Sequence, residues 1–139
     1  MRIRQAHQSD LGQLLGLMHE LGYDIPESDL RTQVHIYINA NHSLLLVSEA
    51  DGHLAGLIAG HLIPLLHQPG HVGRITALVV SADTRDSGVG SALLEALEAW
   101  FNEQRCLRFE VTSGDHREGA HLFYQSQGYH PDERRFIKR

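Results

Sequence analysis

"VVSADTRDSGVGSALLEALEAW", residues 79–100, passes from an apolar run through a loop with two glycines into an amphipathic helix. A helix N-terminus carries backbone N–H groups that have no partner in the helix, together with the positive end of the helix dipole. A glycine-containing approach to it therefore suits a phosphate. Arg85, Gly88 and Gly90 give the pattern R-x-x-G-x-G, and the helix opens near Ser91. Gly88 and Gly90 let the backbone come close to a ligand, and the geometry suits a diphosphate. A nucleoside-triphosphate loop would need a lysine after its last glycine, and a dinucleotide fingerprint would need a third glycine where Leu93 stands, so neither fits. Taken alone, two glycines before a helix also describe a tight turn.

Working outward from the loop, "MRIRQA" reads as a first strand. Leu11, Leu14, Leu15, Met18 and Leu21 recur at helical spacing, with Ser9 or Asp10 able to cap the start and Gly22 the stop. A second helix covers Pro26 to Asn39. Residues 44–50 and 53–63 read as antiparallel strands joined by Asp51-Gly52, a hairpin signal. Gly73 to Val80 is a mostly apolar fourth strand that feeds the glycine loop. Leu93, Leu94, Leu97, Trp100 and Phe101 give the third helix a buried stripe. "LRFEVTS" alternates as a fifth strand, a fourth helix runs from about Asp115 to Gln127, and a last strand lies near Arg134 to Lys138. The order β-α-α-β-β-β-α-β-α-β predicts a mixed α/β domain with helices on both faces of one sheet.

A chain of 139 residues fits a single domain, 1–139. With 42% apolar and 21% charged residues its composition is that of a globular protein. A formal charge of −5 argues against general nucleic-acid binding. Cys106 is the single cysteine, so no intrachain disulfide forms. The first residues show no apolar signal core, and no run approaches a membrane span. A cytoplasmic protein without membrane attachment is the expectation.

"ITALVVSADTRDSGVGSALLEALEAW" followed by "FEVTSGDHREGAHLFYQSQGY" resembles the GNAT family of N-acetyltransferases. Its acetyl-CoA site pairs R/Q-x-x-G-x-G/A with a helix of form A-x-x-x-Y-x-x-x-G-F/Y, and Ala120, Tyr124, Gly128 and Tyr129 match the second pattern. The match spans residues 72–139. The resemblance implies a mostly antiparallel sheet of six to seven strands whose fourth strand splays from the fifth. It implies that the coenzyme's diphosphate sits on the backbone N–H groups of Arg85, Asp86, Ser87, Gly88, Val89, Gly90 and Ser91. The pantetheine arm would pair like an extra strand with Leu78, Val79 and Val80. Two departures stand out. Asp86 and Ser87 occupy positions that usually hold glycine and then a basic or amide residue, and a carboxylate there repels a diphosphate. Arg117 replaces a common asparagine, and either touches a coenzyme phosphate or is a solvated helix residue.

Direct attack of an amine on a thioester needs a proton acceptor, donors for the oxyanion and a proton for the departing thiolate. The resemblance implies a backbone N–H near Val80 for the oxyanion and Tyr124 as the acid. Tyr124 could equally orient the sulfur, and at i+4 from Ala120 it also reads as a core aromatic. Glu110, on one face of the fifth strand with Arg108 and Thr112, is the first candidate for the base; a structural ion pair with Arg108 or another neighbour is the competing reading. His61, His67 and His71 are further base candidates. The eleven histidines are scattered without tight ligand spacing or a cysteine partner, so no metal is expected. Tyr23, Asp24 and Glu27 fall between the first two helices, a segment that borders the acceptor in this family, and their charge favours a cationic amine.

The expected function is acetyl transfer from acetyl-CoA to a primary amine of a small molecule. The alternatives are a protein N-terminus or lysine as acceptor, or a coenzyme-binding sensor without turnover. Relatives are often dimers, so the resemblance allows a homodimer.

Overall fold

In the computed structural model, which describes residues 1–85, 87–112 and 118–139, the elements run in a single series. They are β1 (Arg2–Gln5), α1 (Leu11–Leu21), α2 (Glu27–Asn39), β2 (Ser43–Ala50), β3 (His53–Pro64) and β4 (His71–Val80), then α3 (Val89–Glu103), β5 (Phe109–Val111) and α4 (Glu118–Ser126). Asp51 and Gly52 hold positive φ angles of 53° and 80°, the two left-handed residues of a tight hairpin turn, and so fix the pairing of β2 with β3. Gly22 and Gly128 end α1 and α4 at φ 105° and 94°.

The sheet runs β1-β2-β3-β4-β5, antiparallel except for the last pair, which is parallel. α1 and α2 cover one face, where Leu14, Leu17 and Val34 bury against Val47, Leu57 and Ala59. α3 covers the other, laying Leu93, Leu94, Leu97 and Phe101 on Leu46, Ile58, Leu62 and Ile75. Phe123 and Tyr124 of α4 pack at the margin of that second core. All four α3 side chains are fully buried. At roughly 1.5–3 kcal/mol for each, they make this helix a principal source of stability.

α3 lies close because the sheet beneath it is bare. A Cβ on Gly60 would come within 2.6 Å of Leu97, one on Gly73 within 2.6 Å of Phe101, and one on Gly56 within 2.8 Å of the Val79 carbonyl. Nothing in the spacing of these glycines announces that role.

Three expectations are corrected. The sheet has five strands among the described residues, not six or seven. The segment Arg134–Lys138 is exposed and irregular: Phe136 (89% exposed) and Ile137 find no buried face, and no edge pairs with them. Finally, neither Ser9 nor Asp10 caps α1 with its side chain. The Asp10 carboxylate instead accepts from the His7 N–H at 2.8 Å and from both terminal nitrogens of Arg4 at 2.9 Å. The Arg4 hydrogen bonds hold its pKa below the usual carboxylate range despite burial. The start of α4 near Asp115 lies outside the described residues.

Candidate functional site

β4 and β5 pair only at Gly73↔Phe109, Arg74↔Glu110 and Ile75↔Val111. β4 then continues to Val80 with no strand beside it on that side among the described residues, which leaves an opening along β4 that is closed off at Ile75 by the pairing with β5. The register with β3 steps from Ala59↔Ala77 to Gly60↔Ile75, which makes Thr76 the extra residue of a β-bulge at the start of the opening. Tyr37 of α2 meets it, its hydroxyl 2.7 Å from the Thr76 hydroxyl.

The bulge decides which main-chain groups face the opening. Gly73 turns its N–H toward β5, donating to the Arg108 carbonyl at 3.0 Å, while Ser81 turns its N–H toward β3, donating to the Ala55 carbonyl at 2.7 Å. Along a strand the direction alternates, so counting back from Ser81, Val80 and Leu78 present their N–H and C=O groups to the opening and Val79 presents its own to β3. Two of the three residues expected to pair with an extended ligand therefore turn toward it main-chain groups that have no partner among the described residues.

Beyond Val80 the chain turns tightly. The Thr84 N–H donates to the Ser81 carbonyl at 3.0 Å, and the Ser87 N–H and hydroxyl both reach the Thr84 carbonyl. Gly88 precedes α3 at φ 86°, a conformation that glycine tolerates and β-branched residues do not. The first backbone donation of α3 runs from Ala92 to the Gly88 carbonyl at 3.0 Å, leaving the N–H groups of Val89, Gly90 and Ser91 without helical acceptors. Arg85, Ser87 and Gly88 are exposed. The expected contacts of Asp86 and Arg117 lie outside the described residues.

α4 is fastened across this turn. Gln127 donates to the Ser91 hydroxyl at 3.2 Å, and the Phe123 ring lies 3.5 Å from where a Gly90 Cβ would be. Tyr124 is half-buried, with its ring edge-on to Phe123 at 5.3 Å and to Tyr129 at 5.7 Å, in the same apolar cluster as Leu78 and Val80. Tyr129 is tied elsewhere: its hydroxyl donates to Glu98 at 2.7 Å, and burial first, then that bond, push its pKa far up.

Where β4 and β5 pair, at the closed end of the opening, Glu110 accepts from Arg74 Nη2 at 2.7 Å and from Arg108 Nε at 2.8 Å. Burial pushes its carboxyl pKa up, but the two guanidinium hydrogen bonds outweigh that and hold it below the usual value. This is the ion-pair arrangement, and it disfavours Glu110 as a proton acceptor. His61 forms a 2.7 Å hydrogen bond through Nδ1 with the Ser43 hydroxyl and meets His42 edge-on at 4.7 Å. Burial first, then the neighbouring His42, lower its pKa. His71 Nε2 lies 2.8 Å from the Gln104 carbonyl, and His67 is exposed. Tyr23, Asp24 and Glu27 are exposed, with Glu27 paired to Arg31 at 2.9 Å. Reasoning from sequence missed Thr76, Tyr37 and Arg74, whose roles come from a register step and from pairings 36 and 39 residues apart.

Comparison with known proteins gives the family and the fold. Residues 10–129 match the model of the acetyltransferase (GNAT) family. An aminoalkylphosphonate N-acetyltransferase of Salmonella typhimurium is 32% identical over 88 residues; the match covers 63% of this chain and 57% of that protein, so the chain spans a little over half of that relative. Among solved structures, an aminoglycoside N-acetyltransferase in complex with CoA superposes with a TM-score of 0.89 at 20% identity, over 99% of this chain and 93% of the other. An aminoglycoside 6'-N-acetyltransferase from Acinetobacter haemolyticus gives a TM-score of 0.86 at 20% identity, over 100% and 99%. These two share the fold. No helix among the described residues is long and apolar enough to cross a membrane.

Proposed function

The chain belongs to the acetyltransferase (GNAT) family, and we propose that it transfers the acetyl group of acetyl-CoA to the primary amine of a small molecule. The observation that carries the reading is the β4–β5 opening: strand-like main-chain groups of Leu78 and Val80 face it, and it leads toward the N–H groups at the start of α3, which have no partner among the described residues. A pantetheine arm carries two amides that can pair with a strand edge, and a diphosphate suits a helix N-terminus. One cosubstrate, acetyl-CoA, combines both groups with a transferable acetyl. The relatives named above, two acting on aminoglycosides and one on aminoalkylphosphonates, support an amine acceptor.

In this mechanism the amine nitrogen attacks the thioester carbon, a C–N bond forms, and the C–S bond breaks. The oxyanion is held by a main-chain N–H at the Leu78–Val80 edge. The departing thiolate takes a proton from Tyr124, whose half-buried ring stands in the same cluster, and the phenolate regains one through solvent as the attacking nitrogen sheds its second proton to give the amide. Because Glu110 is committed to two guanidinium groups, the amine sheds its proton to water before attack.

Following free thiol with acetyl-CoA and a panel of primary amines tests the proposal. Thiol release that depends on an amine is the expected result. Coenzyme binding without release from any amine would leave a binding module instead.

A further inference from the structure

We propose that the acceptor carries an anionic group (a carboxylate, phosphonate or phosphate) near its amine, and that Arg74 with Arg108 binds that group at the closed end of the β4–β5 opening. The inference rests on the acetyl-transfer reading and deepens it.

Ser43, His61, Arg74 and Glu110 are successive cross-strand partners on β2, β3, β4 and β5, so their side chains share one face of the sheet. Ser43 alternates with Leu45 and Val47, which pack under α1 and α2, so this is the face opposite α3. On that face two guanidinium groups converge on a single carboxylate. Glu110 gives one oxygen to each, and one carboxylate balances only one of the two charges. Arg74 Nε is buried and has no acceptor among the described residues. His61, the next group along the row, is bonded to Ser43, and burial lowers its pKa. Asp132 and Glu133 act on Arg108 only through space, without an ion pair to it.

A guanidinium presents five donors in a rigid fork that matches carboxylate and phosphate oxygens two at a time. Arg74 spends one of them on Glu110. Its side chain is 42% exposed although Nε is buried, so the terminal end of the fork is what a ligand entering the opening can meet. Leu78 lies four positions beyond Arg74, on the order of 13 Å of strand before the bulge shortens it. The long arginine side chain closes much of that distance. What is left is a span that a short aminoalkyl chain bridges, with its amine toward the thioester and its anion toward the fork. The Tyr37 and Thr76 hydroxyls lie between the two ends.

The test uses the full chain with acetyl-CoA and 2-aminoethylphosphonate, β-alanine, propylamine, 1,3-diaminopropane and kanamycin, following thiol release. The expected result is kcat/KM at least tenfold higher for the two anionic amines than for propylamine. Arg74→Gln should reduce that preference at least tenfold, and Arg108→Gln should reduce it less. Equal or higher kcat/KM for propylamine, the diamine or kanamycin overturns the inference while acetyl transfer stands. An anionic preference that survives both substitutions in folded protein also overturns it. No release from any of the five removes the transfer reading, and this inference with it.

Discussion

A Cβ atom on Gly73 would lie 2.6 Å from the ring of Phe101. The two residues are the point where α3 rests on β4, and the contact is backbone against aromatic face. It positions the helix whose first turn stands beside Val80, so a packing detail of the core sets the geometry of the site. Gly60 under Leu97 and Gly56 under Leu93 extend the same contact.

Gly73→Ala therefore destabilises the fold by about 1–3 kcal/mol, the usual cost of forcing an extra methyl into a packed core. Gly16→Ala makes the contrast, because a Cβ there meets nothing within 4 Å and the residue is inside α1. It should raise stability by roughly 0.5–1 kcal/mol. Urea denaturation midpoints of the two variants should move in opposite directions. A Gly73→Ala protein as stable as the parent would mean that α3 can lift from the sheet freely.

Gly88 tests the loop itself. No atom lies within 4 Å of a Cβ there, so space is no obstacle, but φ is 86°. A β-branched residue resists that conformation at a cost of order 1–3 kcal/mol. Gly88→Val should either pay that in stability or rotate the turn and disorganise the N–H groups of Val89 to Ser91. Calorimetric titration should show acetyl-CoA binding at least fivefold weaker, with Gly88→Asn intermediate because asparagine tolerates the left-handed region. Unchanged affinity in Gly88→Val would reduce the loop to a turn.

Much of this was legible in the chain, and the parts that were share one property: the signal is local. Asp51-Gly52 announced its hairpin because two positive φ angles are written into two adjacent residues. The loop from Arg85 to Ser91 and the i, i+4 series through Ala120, Tyr124 and Gly128 are equally short-range. What escaped depends on register between distant segments. Thr76 is a bulge because β3 and β4 slip by one residue. Glu110 is held by Arg74, 36 residues away, as well as by Arg108 beside it, and only the second partner could be named beforehand. The segment Arg134–Lys138 fails as a strand for the converse reason. Phe136 and Ile137 are adjacent, so a strand would point them to opposite faces, and strand formation needs an edge and a buried face that are not visible locally.

Glu110 also carries a pH signature. Its folded pKa lies below the unfolded value of about 4.5, so the folded state favours the carboxylate. The stability it contributes is fully present above the unfolded value and is lost as pH falls through the folded one. Glu110→Gln removes this dependence. The stability gap between parent and variant should thus be constant from pH 8 down to about pH 5 and shrink steadily below that. Urea midpoints at pH 7, 5, 4 and 3.5 measure it, and subtracting the variant cancels the titration of Asp10, which runs in the same direction. A gap that holds constant to pH 3.5 would deny the two arginine contacts their energetic role.

Tyr124→Phe separates chemistry from packing. The ring is wedged edge-on between Phe123 and Tyr129, and phenylalanine keeps both contacts. Only the hydroxyl goes. If that hydroxyl protonates the thiolate as the C–S bond breaks, its contribution appears in the transition state and not in the ground state. In that case kcat and kcat/KM should fall together while the acetyl-CoA dissociation constant stays within about twofold. General acid catalysis of this kind is typically worth about 10²–10⁴-fold, and a thiolate leaves more readily than most groups, so the loss should lie toward the lower end. A leaving group that is more acidic when expelled should need the hydroxyl less. The variant's defect should therefore narrow with an acetyl thioester of a lower-pKa thiol analogue. A Tyr124→Phe protein with parental kcat would return Tyr124 to the apolar core that Phe123 and Tyr129 already define.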